Sequence, residues 1–161
     1  MSYYSEPSLP EAWQPALSHS RFLRQLLAGR PEIVDWLKEY GDTPLSVELM
    51  RQFLAAEAIH DEDSLKRALR RLRQRVMAAL IVRDIGGQAA LSEVMETMTS
   101  LADVTTNHAL DFLQRLLAAQ FGEPLDRQGS PQRLLVIGMG KLGGRELNVS
   151  SDVDYIFIYP E

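Results

Sequence analysis

Gly138-Met-Gly-Lys-Leu-Gly-Gly-Arg-Glu-Leu-Asn-Val-Ser-Ser-Asp-Val-Asp154 lies between two short apolar runs, Leu134 to Ile137 before it and Val153 to Tyr159 across its end. Both flanks read as strands, the first short and buried, the second β-branched and aromatic. Two readings of the connecting stretch compete. Gly138-x-Gly140-x-x-Gly143 satisfies the GxGxxG dinucleotide fingerprint after a strand, and Glu161, 23 residues beyond Gly138, would be its ribose-binding acid. Against it, eight residues separate Gly143 from Asp152, and Asn-Val-Ser-Ser among them is poor helix material, so the long crossover helix of that fold hardly fits.

The other reading pairs Gly143 and Gly144 with Asp152-x-Asp154. Strand alternation predicts Asp152 and Asp154 on one face, with Val153 between them pointing into the core. Two neighbouring carboxylates repel unless a cation lies between them. Hard oxygen ligands suit Mg²⁺, which takes one or two carboxylates plus substrate phosphates. The glycines let backbone N–H groups approach a phosphate with no Cβ in the way. A glycine turn for a triphosphate followed by paired aspartates for Mg²⁺ is the logic of nucleotidyl transfer by in-line displacement at phosphorus.

Upstream the pattern is helical. Arg21 to Ala28 is stopped by Gly29, Glu32 to Tyr40 follows Pro31, and Leu45 to Ile59 makes a third helix. Ser64 is the expected cap of a long helix with apolar positions Leu65, Leu69, Leu72, Val76 and Leu80, ended by Gly86 and Gly87. From Leu91 a heptad-like seam of Leu91, Met95, Met98, Ala102, Thr105, Ala109, Phe112 and Leu116 predicts one bundle helix of roughly 40 Å. The first 19 residues, with three Pro and four Ser, read as a flexible arm. The expected organisation is an arm over 1–19, a helical subdomain over 20–120, a Gly/Pro-rich link over 121–132 and a β-containing unit over 133–161. The chain stops directly after its second strand, and two strands alone make a marginal sheet, so a truncated domain is expected.

Composition narrows the function. The chain has 161 residues, 17 Lys plus Arg against 22 Asp plus Glu, a net charge of −5 and no cysteine. Disulfides, thiolate metal sites and cysteine nucleophiles are excluded. The three histidines match no zinc spacing. A net acidic chain lacks the global positive field of a non-specific nucleic-acid binder. With neither a signal peptide nor an apolar run of about 20 residues, the expected location is cytoplasmic, with no membrane partner. Between Ser64 and Arg83 stand seven basic residues, Lys66, Arg67, Arg70, Arg71, Arg73, Arg75 and Arg83, and no acid. They read first as the polar face of a packed helix and second as a surface for phosphate, nucleotide or an acidic protein.

The run GMGKLGGRELNVSSDVDYIFIYPE closely resembles the signature of the bifunctional glutamine synthetase adenylyltransferase/adenylyl-removing enzymes, members of the DNA polymerase β superfamily, and LKRALRRLRQRVMAALIVRDI is similar to that family's upstream segment. The resemblance implies an α+β chain: an N-terminal all-α bundle followed by the opening strands of a polymerase β-like nucleotidyltransferase palm. It also implies two such modules in tandem, this one looking like the first, which removes AMP from a tyrosine of adenylylated glutamine synthetase with phosphate, yielding ADP. The second module attaches AMP from ATP, and a PII-type signal protein regulates both. By carry-over, Asp152 and Asp154 would be catalytic Mg²⁺ ligands, Gly143 and Gly144 would shape the nucleotide or phosphate cradle, and Ser150 and Ser151 would add phosphate contacts. The superfamily needs a third carboxylate on a later strand, so this chain alone is expected to be inactive. The rival expectation is a non-catalytic helical interaction fragment.

Overall fold

Side-chain caps from Ser20, Ser46 and Asp61 open three of the described helices. In the computed structural model, which describes residues 9–159, α1 (Gln14–His19) follows a 3₁₀ turn at Glu11–Trp13. The Ser20 hydroxyl accepts from Leu23 N at 3.1 Å and opens α2 (Arg21–Gly29). Pro31 precedes α3 (Glu32–Tyr40), and Ser46 caps α4 (Val47–Ala55) through Leu49 N at 3.1 Å. The long helix α5 spans Glu62–Ile85, and α6 spans Leu91–Phe121.

The cap of α5 is Asp61, not Ser64. Asp61 Oδ1 accepts from Ser64 N at 2.7 Å, while the Ser64 hydroxyl accepts from Asp61 N at 3.0 Å. Ser64 thus closes a capping box from the third helical position, which ties down two N–H groups where a lone cap would hold one.

Helix α5 is the hub, in contact with α1, α2, α3, α4 and α6. Its Ala68, Leu72, Val76, Ala79 and Leu80 are buried against Leu23, Ile33, Leu37, Met50 and Leu54. At its end Arg83, 5% exposed, donates to both Glu93 carboxylate oxygens at 2.7 and 3.0 Å and to the Asp42 carbonyl at 2.7 Å. That one guanidinium fastens α5 to the start of α6 and to the α3–α4 connection.

The flexible arm expected over 1–19 does not describe residues 9–19. Trp13 is 2% exposed and Ala16 is fully buried, one helical turn apart, and α1 packs on α5. Pro10 precedes the first turn and Pro15 lies in the first turn of α1, where a missing N–H costs nothing. Residues 1–8 lie outside the described residues. The seam expected on α6 is also displaced. Val94, Thr97, Met98, Leu101 and Val104 are buried, whereas Leu91 and Leu116 are exposed, because the N-terminal half of α6 is covered by both α4 and α5 and its C-terminal half extends past them.

Strands β1 (Leu135–Gly138) and β2 (Tyr155–Ile158) pair antiparallel, with Leu135 opposite Ile158, Val136 opposite Phe157, Ile137 opposite Ile156 and Gly138 opposite Tyr155. One face, with Val136, Tyr155 and Phe157, shares an open cavity with Thr105, Ala109 and Leu113 of α6, and Phe157 on it remains 61% exposed. The other face presents Leu135, Ile137, Ile156 and Ile158 to solvent. The arrangement is α+β, and the strand direction decides between the two readings of the glycine turn. A dinucleotide fold needs parallel strands joined by a crossover helix, while here the strands are antiparallel and the helix between them, α7 (Gly140–Gly143), is a single turn.

Candidate functional site

The glycine turn is shaped by close approach. Gly140 has φ +54°, a left-handed conformation that disfavours side chains, and it starts α7 immediately after β1. A Cβ on Gly143 would stand 2.6 Å from the Gly138 carbonyl oxygen, so a side chain there would push α7 off β1. Gly144 differs: its φ is −78°, and a Cβ would meet the Gly140 carbonyl at an ordinary 3.5 Å. The fold therefore requires glycine at 143 and not at 144. The N–H groups of both are occupied, Gly143 N donating to Met139 O at 3.2 Å and Gly144 N to Gly140 O at 3.0 Å. The open N–H cradle expected from these two glycines is not formed in this conformation.

Ser150 and Ser151 are likewise engaged. Asn148 Oδ1 accepts from the hydroxyls of Ser150 at 3.1 Å and Ser151 at 3.0 Å, and Asn148 N donates to Ser151 Oγ at 3.2 Å. This turn, with Leu147 buried in front of it, folds the chain back toward β2. Contact with a phosphate by either serine requires exchange of its bond to Asn148.

The aspartates sit one step earlier than expected. Residues 152–154 precede β2, which starts at Tyr155, and Val153 is 39% exposed instead of pointing into the core. The cause is the ladder's length: pairing ends at Gly138–Tyr155, and beyond it Met139 N donates to the Asp154 carbonyl at 2.9 Å. That bond holds the start of the glycine turn against the second aspartate. Both carboxylates are exposed, and neither forms an ion pair within 4 Å among the described residues. Two unengaged carboxylates two residues apart are a donor set that fits a hard divalent cation completed by phosphate oxygens. Among the described residues no third carboxylate or histidine joins them.

The site is fastened to the bundle from three directions. Leu142 and Leu147 are buried in the core, Arg145 Nη1 lies 3.5 Å from Asp103 Oδ2 of α6, and the Tyr155 hydroxyl is 2.6 Å from Thr106 Oγ1. Between hairpin and bundle lies a cavity of about 430 Å³, in which Ser151, Asp152 and Val153 face Arg70 and Arg73 of α5 over an apolar floor of Leu69 and Met98. The structure thus brings Ser151 and Asp152 together with two arginines. Gly143, Gly144, Ser150 and Asp154 lie outside that cavity's lining. The basic run of α5, expected in part as a surface for phosphate or nucleotide, is not tied by the sequence to this place. The spacing of Arg70 and Arg73 was visible, but which face of α5 meets the hairpin is decided by packing.

The family described as Glutamate-ammonia ligase adenylyltransferase matches residues 11–161. Over 161 residues, all of this chain, the sequence is 50% identical to a bifunctional glutamine synthetase adenylyltransferase/adenylyl-removing enzyme of Aromatoleum aromaticum, of which those residues are 17%. A protein of the same name from Nitrosomonas europaea is 49% identical over 150 residues, 90% of this chain and 16% of that protein. One from Bordetella pertussis is 42% identical over 151 residues, 89% of this chain and 16% of that protein. The names define the class, an adenylyltransferase. The chain belongs to the glutamate-ammonia ligase adenylyltransferase family. It spans about a sixth of the length of the curated relatives it matches.

Proposed function

We propose that this chain opens a polymerase β-like nucleotidyltransferase palm in a cytoplasmic enzyme that removes AMP from adenylylated glutamine synthetase by phosphorolysis and, in the whole protein, also attaches AMP from ATP. The observation that carries this reading is the bond from Met139 N to the Asp154 carbonyl, which sets the start of the glycine turn beside the segment that bears the two unpaired aspartates. The names of the relatives support the substrate, glutamine synthetase, and the two directions of the reaction. Regulation by a PII-type signal protein belongs to the same proposal.

In phosphorolysis an oxygen of inorganic phosphate attacks the phosphorus of the tyrosyl-AMP ester. A P–O–P bond forms, the bond from phosphorus to the tyrosine oxygen breaks, ADP departs, and the tyrosine oxygen takes up a proton. Asp152 and Asp154 would hold Mg²⁺, which supplies charge neutralisation at the phosphoryl oxygens. Asp152, on the cavity wall, orients the phosphate side, and Asp154, whose backbone carbonyl accepts from Met139 N, holds the metal next to the glycine turn. Gly144, where the fold itself tolerates a Cβ, leaves room for ligand to approach. Ser150 and Ser151 contribute by exchanging Asn148 for phosphate oxygens. With no third carboxylate beside the pair among the described residues, turnover requires a further carboxylate from the rest of the enzyme.

Calorimetric titration of the chain with ADP tests the carboxylate assignment. Mg²⁺ should tighten binding, and Asp152→Ala or Asp154→Ala should abolish that dependence. Binding equally responsive to Mg²⁺ in both variants would remove the two aspartates from the site.

A further inference from the structure

Four of the seven basic residues on α5 have partners within the fold. Lys66 Nζ is 2.8 Å from Glu62 Oε1, Arg71 is paired with Glu57, Arg83 is held by Glu93, and the buried Arg75 lies 4.9 Å over the Phe53 ring. The remaining three, Arg67, Arg70 and Arg73, form no ion pair among the described residues. They recur at every third position, which places them along one side of the helix as mutually repelling neighbours. Two of them, Arg70 and Arg73, open onto the same cavity as Ser151 and Asp152.

We propose that Arg70 and Arg73 form the phosphate-binding wall of the site, gripping the phosphate groups of the ligand on which the aspartate pair acts. The inference rests on the function proposed above and extends it to a helix outside the glycine turn. Geometry and charge carry it. The N–H groups of Gly143 and Gly144 and the hydroxyls of Ser150 and Ser151 are already engaged, so the glycine turn in this conformation offers few of the donors a phosphate needs. Two guanidinium groups present planar, permanently charged donor forks matched to phosphate oxygens. They stand across a cavity of about 430 Å³, within the size range of small-ligand sites, whose apolar floor of Leu69, Met98 and Leu101 suits a flat base or ring. Cation-bound carboxylate on one side and guanidinium on the other would hold a polyanion between them, each offsetting the repulsion the other's ligand would meet.

The phosphate can belong to inorganic phosphate or to the nucleotide, and the experiment separates them. The full chain is titrated by calorimetry with ADP, inorganic phosphate and adenosine, all with Mg²⁺, as wild type, Arg70→Gln/Arg73→Gln and Asp152→Ala. Both arginines are exposed, so the double variant should fold, and circular dichroism checks it. The double variant is expected to bind ADP, inorganic phosphate or both roughly tenfold to hundredfold more weakly, with adenosine unchanged and with a shallower dependence on salt. Loss confined to inorganic phosphate assigns the wall to the attacking phosphate, and loss of ADP assigns it to the nucleotide. Arg70→Lys/Arg73→Lys should recover part of the affinity, because charge returns without the fork. Affinities for ADP and phosphate within twofold of wild type in the double variant overturn the proposal, and so does a folded wild-type chain that binds neither. A double variant that weakens ADP while Asp152→Ala changes nothing would remove the aspartates and leave the arginine wall standing; the reverse pattern would remove only the wall.

Discussion

Gly143 and Gly144 are adjacent and identical, yet they answer to different constraints. A Cβ at 143 meets the Gly138 carbonyl oxygen at 2.6 Å, a contact the backbone can relieve only by moving α7 away from β1. Gly143→Ala should therefore lower stability by about 1–3 kcal/mol, read as a shifted midpoint in urea unfolding. Gly144→Ala puts a Cβ at 3.5 Å from its nearest neighbour with φ at −78°, and it should unfold within about 0.5 kcal/mol of wild type. If ligand lies over Gly144, that same variant weakens ADP binding while its stability is unchanged. Equal loss of stability in both variants would contradict the distinction. Arg83 makes a similar point about charge: a basic residue inside a basic run is here a buried fastener, and its neighbours three turns back face a cavity.

At the scale of the element, the start of α5 is a pH-sensitive joint. The Ser64 hydroxyl and then the Ser64 backbone N–H, both bonded to the Asp61 carboxylate, hold its pKa below the ordinary 3.8. A carboxyl with a depressed folded pKa contributes stability that is fully present above 3.8 and is lost as pH falls through the lower folded value. Protection of the first-turn amides of α5 in hydrogen exchange should thus be flat above pH 5 and decline below pH 3.8. Asp61→Asn, which keeps the oxygen acceptor without the titration, should flatten that decline. The same joint shows what the sequence made legible. Helices α2, α3, α5 and α6 were readable because glycine, proline and apolar period punctuate them, and the antiparallel turn was readable as too short for a crossover. The cap was misplaced by three residues because Ser64 and Asp61 serve one box from opposite ends. Trp13 was missed because the prolines around it signal irregular chain, and only contact with α5 shows that they stand where a helix tolerates them. The spacing of Asp152 and Asp154 was legible, but their place before β2 was not, since the end of the ladder at Gly138–Tyr155 is fixed by strand pairing that no local pattern encodes.

At the scale of the whole molecule, the hairpin carries a cluster of exposed apolar side chains. Leu135, Ile137, Ile156 and Ile158 share the outer face of the hairpin at 53, 45, 45 and 40% exposure, and Phe121 at the end of α6 is 75% exposed. A contiguous aliphatic face beside open strand edges favours association. The isolated chain should self-associate on sedimentation, and Ile137→Lys/Ile156→Lys, a cross-strand pair on that face, should return it toward monomer without loss of helix signal. The role proposed for this hairpin is to supply two carboxylates to phosphoryl transfer in the family's enzymes. It is tested most directly by exchanging the 161 residues into the Aromatoleum aromaticum relative, with which they are 50% identical, and following ADP release from adenylylated glutamine synthetase with phosphate and Mg²⁺. Release by the exchanged enzyme is expected, with a fall of roughly hundredfold or more in kcat for Asp152→Ala or Asp154→Ala. A folded exchanged enzyme that releases no ADP, or one that works equally well with both aspartates replaced, would contradict it.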